Sequence, residues 1–136
     1  MERFDTMRLA DSPVVTAPDG STVRPLCQIP GAGSFAVFEL GPGEVARAVS
    51  HATVQEIWYV VAGAGQIWRR QGDQEETVPL AAGVCLTIPL GTHFQFRGAE
   101  ADQPLRIVAV TMPPWPTDSV TEARVEAGPW PATTPA

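Results

Sequence analysis

The chain of 136 residues holds two histidines, His51 and His93, and a glutamate five residues after the first, Glu56, opens the otherwise apolar run EIWYVVA. An imidazole and a carboxylate brought together can do two kinds of chemistry. They can form half of a divalent transition-metal site, for which nitrogen and oxygen donors of this kind are suited. They can also form an acid–base pair in which the carboxylate fixes the imidazole tautomer. Two protein ligands hold a metal weakly, because catalytic zinc sites keep three; a metal at His51 and Glu56 therefore needs His93, Gln95 or atoms of a bound ligand to complete it. Glu56 is costly to bury without a partner. With His51 as that partner and its acidity weakened by burial, Glu56 is equipped for proton transfer; the plainer arrangement is a salt bridge to an arginine such as Arg47.

These side chains need a frame, and the punctuation of the chain supplies one. Gly 12 and Pro 14 are scattered between short apolar runs, which favours an all-β fold. Strands are expected at Val14–Thr16, Thr22–Gln28, Ser34–Leu40, Val45–His51, Glu56–Ala62, Gln66–Arg70, Glu76–Leu80, Val84–Ile88, Phe94–Arg97 and Leu105–Thr111, with no amphipathic helix between them. The Pro18-Asp19-Gly20 turn joins the first two, its Asp-Gly pair suiting a tight hairpin. Such a pattern points to a β-sandwich or jelly-roll barrel. Residues 1–112 read as one barrel domain, and residues 113–136, rich in proline, as an extended arm or a partly disordered tail.

Composition narrows the partners. Apolar residues make up 44% and charged residues 18%, as in a globular domain that can bury a core without disulfides. Nine cations, all arginine, face fifteen carboxylates for a net charge of −6, and an acidic surface repels phosphate backbones, which argues against nucleic acid. Cys27 and Cys85 lie far apart in apolar runs and read as buried reduced thiols. The opening MERFDTMRLADSP carries charges where a signal peptide needs an apolar stretch, and no run approaches the length of a membrane span, so a cytoplasmic protein without a membrane partner is expected.

Two segments resemble the conserved motifs of the cupin superfamily. The first runs Gly43, Val49, His51, Glu56, Gly63 (residues 43–63) with its leading histidine replaced by Val49. The second runs Gly83, Pro89-Leu90-Gly91, His93, Phe94 to Gly98 (residues 83–98). The resemblance implies a small single-domain cupin, a double-stranded β-helix or jelly-roll barrel, with degenerate metal-binding motifs. It also implies a metal set of three histidines and one glutamate on inward-facing strand positions. Here two of those positions fall on Val49 and Phe94, and His93 sits one residue early, which on a strand turns a side chain to the opposite face. A reduced metal set would be His51, Glu56 and His93.

If Glu56 faces the barrel interior, alternation places Trp58 and Val60 beside it and Ile57 and Tyr59 outside, and Phe94 and Phe96 face inward together. The expected pocket is an apolar aromatic cup of Val49, Trp58, Phe94 and Phe96 around His51 and Glu56, with Gln66 and Trp68 of the following strand sharing its wall. Trp115 is a candidate lid or interface anchor, with plain packing as the simpler role. Three functional classes follow: a small-molecule-binding cupin; a metal-independent isomerase, epimerase or cyclase with His51 and Glu56 as its catalytic acid–base pair; or a metal-dependent cupin enzyme with a reduced ligand set. No cofactor is required beyond a divalent transition metal in the third. A homodimer is expected, with the Val14–Gln28 region adding to a partner's sheet.

Overall fold

The computed structural model describes residues 1–115 and 119–134. The parts of the expected C-terminal arm at 116–118 and 135–136 lie outside the described residues. After a single 3₁₀ turn at Leu9–Asp11, the chain forms β1 (Val15–Thr16), β2 (Thr22–Ile29), β3 (Gly33–Leu40), β4 (Val49–His51), β5 (Gln55–Ala62), β6 (Ala64–Gln71), β7 (Gln74–Ala81), β8 (Cys85–Ile88), β9 (His93–Gly98), β10 (Leu105–Met112), the single helical turn α1 (Ser119–Glu122) and β11 (Ala123–Val125). Two antiparallel sheets face each other, one ordered β1-β2-β3-β10-β5-β8 and the other β11-β4-β9-β6-β7. The result is an all-β jelly-roll barrel.

The period-2 rule explains which side chains fill it. Along β5, Glu56, Trp58 and Val60 are buried whereas Ile57, Tyr59 and Val61 are exposed, so the inward set comes from every second residue. Phe38 and Leu40 of β3, Ile67 of β6, Phe94 and Phe96 of β9 and Leu105 and Ile107 of β10 belong to the same core. The aromatic rings meet edge to face: Trp58 lies 4.9 Å from Phe96 at 75° and 5.8 Å from Phe94 at 87°, arrangements that aromatic quadrupoles favour. At the β5–β6 corner Gly63 has φ +80°, and a Cβ there would run into the Pro104 carbonyl. Only glycine meets both conditions at that bend.

Three expectations change. The strand foreseen over Val45–His51 shrinks to Val49–His51, because the preceding backbone is drawn elsewhere: the Ala46 amide donates to the Phe96 carbonyl and the Arg47 amide to the Asp19 carbonyl. Cys27 is half-buried and Cys85 exposed, not buried. Cys85 pairs with the outward-facing Tyr59, so the apolar run around it alternates between faces. Third, the residues after Pro114 add structure that the sequence reading did not place: β11 extends the second sheet by pairing with β4, Ala123 opposite His51 and Val125 opposite Val49.

Beyond β11 the arm is laced to the barrel by polar contacts. Gln95 points outward from β9 yet is buried under the arm, its amide donating to the carbonyls of Ala46 at 2.9 Å and Trp130 at 2.7 Å and accepting from the Trp130 amide at 3.1 Å. The Arg97 guanidinium lies 3.9 Å over the Trp130 ring, a cation–π contact. The Thr134 hydroxyl donates to the Asp19 carbonyl at 2.9 Å. No helix among the described residues is long and apolar enough to cross a membrane.

Candidate functional site

His51 ends β4 and Glu56 is the second residue of β5, so the turn at residues 52–54 folds the two inward side chains against each other. Nε2 of His51 lies 3.6 Å from Oε2 of Glu56, with both side chains buried. On the opposite edge of the ring, Nδ1 faces Oε1 of Glu122 at 3.7 Å. The imidazole stacks on Phe94 at 5.8 Å and 23°, and Trp115 meets it edge-on at 5.5 Å. Trp115 also packs against Phe38 at 5.9 Å, and its amide donates to the Ser34 hydroxyl. Its indole therefore packs against both the imidazole and Phe38.

The electrostatics follow from burial. Glu56 has its pKa pushed up to about 8, chiefly because its carboxylate has been taken out of water, with the Asp19 and Glu122 carboxylates adding to the rise and a hydrogen bond from the Trp58 indole opposing it. That bond, Trp58 Nε1–H to Glu56 Oε1, is 3.3 Å long. Burial lowers the pKa of His51, and the Glu122 carboxylate works against that fall. At neutral pH the pair thus holds a protonated acid beside a neutral imidazole, one ready to give a proton and the other to take one.

Arg47, the arginine considered as a partner for Glu56, is engaged at the β1–β2 turn. It donates to the Pro18 carbonyl at 2.9 Å, and its charge acts on Asp19. Asp19 is itself buried, which raises its pKa, while bonds from the Ser21 hydroxyl and amide to Oδ1, at 2.6 and 2.9 Å, oppose the rise. Asp19 and Glu122 are the two titratable neighbours that the sequence reading did not assign. Asp19 looked like a turn residue only. Glu122 lies in a proline-rich stretch, and the three residues of β11 just after it are too few to show a strand period.

The other expected site residues separate into two groups. Val49, Trp58, Phe94 and Phe96 do face inward around His51 and Glu56 and pack as core, each no more than 2% exposed. Gln66 and Trp68 do not share that wall. Ile67 pairs with Phe96 across β6 and β9, so its neighbours Gln66 and Trp68, opposite Arg97 and Gln95, take the outer face. Gln66 is held there by Arg97, whose Nε donates to it at 3.0 Å. Two surface concavities lie on the outside of the molecule, one lined by Arg69, Glu76 and Thr87 and one by Phe4, Ile29 and Phe35, and neither includes His51 or Glu56.

His93 points away from His51. Its Nδ1 lies 3.1 Å from Arg70 Nη2 and 3.4 Å from Glu126 Oε2, on the face covered by the arm. The reduced metal set of His51, Glu56 and His93 is therefore not brought together, for the reason the one-residue offset gave. The two positions vacated by histidine, Val49 and Phe94, pair directly across β4 and β9 and are filled with apolar side chains. Glu56 and Glu122 flank opposite ring nitrogens, so no single ion could be bound by both carboxylates and the imidazole. Among the described residues no group of three or more His, Cys, Asp or Glu is placed to hold a metal. This donor set does not fit a resident transition metal.

Comparisons with known proteins agree with the architecture. Among solved structures, the nucleoside dehydratase Pac13 from Streptomyces superposes with a TM-score of 0.70 at 16% identity, covering 91% of this chain and 92% of that one. KdgF from Halomonas sp. gives 0.69 at 17% identity over 87% and 99%. The capsular polysaccharide assembling protein CapF from Staphylococcus aureus gives 0.68 at 18% identity over 83% of this chain, which spans only 34% of CapF. No curated protein matches the chain. The cupin domain profile matches residues 36–111, a segment holding both motifs and the strands that carry His51 and Glu56, and the chain belongs to the cupin family.

Proposed function

We propose that this protein is a metal-independent acid–base cupin that moves a proton on a small organic molecule, as an isomerase, epimerase, cyclase or dehydratase does. The observation that carries the reading is the buried His51–Glu56 pair at 3.6 Å, with the carboxyl pushed up to about 8 and the imidazole pushed down. Neutral His51 takes a proton from an activated C–H or O–H of the substrate at Nε2. Glu56 gives its own proton to a second substrate atom, and the pair is restored when the imidazolium proton passes to Glu56. Acid and base roles of this kind are each worth roughly 10²- to 10⁴-fold in rate. Removing water from a molecule needs the same two roles, and one fold neighbour is a nucleoside dehydratase. The Trp115 indole packs edge-on against the imidazole, so binding requires it to give way, and Phe38, Phe94 and Trp58 favour a ligand with an apolar or planar face.

The test is solvent exchange. Protein prepared without an affinity tag, treated with a strong chelator and shown metal-free by elemental analysis, is incubated in D₂O with a panel of hydroxyketones, cyclic ketones and nucleosides. Deuterium incorporation or elimination is followed by NMR. Metal-free protein should exchange a substrate proton as fast as protein given Zn²⁺, Mn²⁺, Fe²⁺ or Ni²⁺. Activity only after metal addition would overturn the reading.

The expected homodimer is kept as part of this proposal. β1 pairs with β2 only through Val15 and Thr16, leaving the rest of the β2 edge open for a partner's strand. Light scattering at micromolar concentration should give about 29 kDa, twice the 14.5 kDa chain mass; a monomer mass would remove the dimer.

A further inference from the structure

The C-terminal arm brings one charged group to the interior that the acid–base reading has not used. Glu122 ends the turn α1 immediately before β11 and is buried to 4% exposure. Oε1 accepts from the Val54 amide at 2.7 Å and from the Thr53 amide at 2.9 Å, and Oε2 accepts from the Thr53 hydroxyl at 2.9 Å. The Glu122 carbonyl accepts from the Ala52 amide at 2.8 Å. Every donor comes from Ala52, Thr53 and Val54, the turn between His51 and the start of β5. The arm thus grips the turn that sets the distance between the acid and the base.

The same carboxylate faces the imidazole from the side opposite Glu56, at 3.7 Å from Nδ1. Nδ1 is buried and has no hydrogen bond among the described residues. A neutral imidazole places its hydrogen on one nitrogen and a lone pair on the other. A lone pair at Nδ1 would face the carboxylate oxygens in a site withdrawn from water and would be repelled. A hydrogen at Nδ1 is attracted, more strongly than it would be in water because the local dielectric is low. The hydrogen therefore belongs on Nδ1 and the lone pair on Nε2, which points at Glu56.

Building on the acid–base reading above, we propose that Glu122 is the positioning residue of the site. Delivered by the C-terminal arm, its carboxylate holds His51 as the Nδ1–H tautomer and leaves Nε2 as the nitrogen that exchanges protons with Glu56 and with a bound molecule. A single line of donors and acceptors results, from the Glu56 carboxyl through the imidazole to the Glu122 carboxylate. No proton leaves the set in the resting state. The base is oriented by a group on a segment far away in sequence, so docking of the arm and assembly of the site are one event.

The experiment reads the tautomer directly. Long-range ¹H–¹⁵N NMR of the uniformly ¹⁵N-labelled full chain distinguishes protonated from unprotonated ring nitrogens, and with only two histidines in the sequence His93 is the internal reference. In the wild type at neutral pH, His51 should show a protonated Nδ1 and an unprotonated Nε2. Glu122→Gln keeps the size and an acceptor for the turn but removes the charge, and should shift the tautomer ratio roughly tenfold toward Nε2–H, the scale of a lost charge-assisted interaction. Thr53→Val removes one anchor of the arm and leaves the carboxylate in place, so it should lower stability without moving the His51 nitrogen signals. A role confined to anchoring the arm predicts instead that neither variant changes the tautomer.

A wild-type His51 found as Nε2–H, or as imidazolium, overturns the proposal even if Glu122→Gln fails to fold. So does a ratio unmoved in Glu122→Gln. Because the readout is spectroscopic, it separates the two ideas. A correct tautomer in a protein that exchanges no substrate proton would retain Glu122 as the positioning residue and remove the acid–base function. The opposite result would do the reverse.

Discussion

Glu56→Gln is expected to make the protein more stable than wild type at pH 9, by on the order of 5 kcal/mol, while changing it by less than about 1 kcal/mol near pH 5. The unfolded chain releases the Glu56 proton near pH 4.5 and the native state near pH 8. Between those values the native state holds a proton that the unfolded state has lost, so stability falls as pH rises through the window. Below 4.5 both states are protonated and above 8 both are ionised, so the slope ends at each limit. A rise from 4.5 to about 8, at about 1.4 kcal/mol per unit, gives the magnitude. Glutamine keeps the shape, accepts the Trp58 indole bond and cannot ionise.

His51 acts in the opposite sense. Its native pKa lies below the ordinary 6.5, so below that pH the unfolded state takes up a proton that the native imidazole refuses, and stability falls as the solution becomes more acid. Asp19, raised above 3.8 by burial, contributes a falling limb of its own that Glu56→Gln leaves intact. Urea unfolding at pH 5, 7 and 9 of wild type and variant measures the difference. Parallel profiles, or a variant weaker at pH 9, would show that Glu56 ionises normally in the native protein.

How much of this could be read from the sequence depends on whether a relation was local. Alternation within β5 is local, and Glu56, Trp58 and Val60 fell on one face as a period of two requires. The His51–Glu56 meeting is nearly local, since one short turn joins their strands. The one-residue offset of His93 was likewise enough to send it away from the pocket. The wall assigned to Gln66 and Trp68 depended on something no single strand carries. Their face is fixed by the pairing of Ile67 with Phe96, a register between strands about thirty residues apart, and a slip of one residue exchanges the faces. Glu122 and Asp19 reach the site by chain paths of 71 and 32 residues from His51, and neither shows in its own neighbourhood any sign of being buried. The charged groups that add to the burial-driven rise of Glu56 were thus the part least legible in the sequence, because burial is a property of the whole fold.

His51→Ala is expected to lower the rate of substrate proton exchange by roughly 10²- to 10⁴-fold, the usual worth of a positioned general base, with the barrel still folded. The buried ring packs on Phe94 and against Trp115, so its removal also leaves a cavity that costs about 2–3 kcal/mol. That second effect clouds the first unless it is separated. His51→Gln refills most of the volume and carries no group that takes up a proton near neutral pH; it should recover most of the stability and none of the rate. Added imidazole should do the converse in His51→Ala, entering the slot between Phe94 and Trp115 and restoring part of the exchange. If His51→Gln retains wild-type exchange, the imidazole is packing and not a base, and Glu56 with its raised pKa must then be the group that moves the proton. In that case Glu56→Gln, more stable than wild type at high pH, would be the variant that loses activity. Stability gained by removing a buried carboxyl and activity lost with it would then be two measurements of one fact: this barrel keeps an ionisable group where its fold alone would place none.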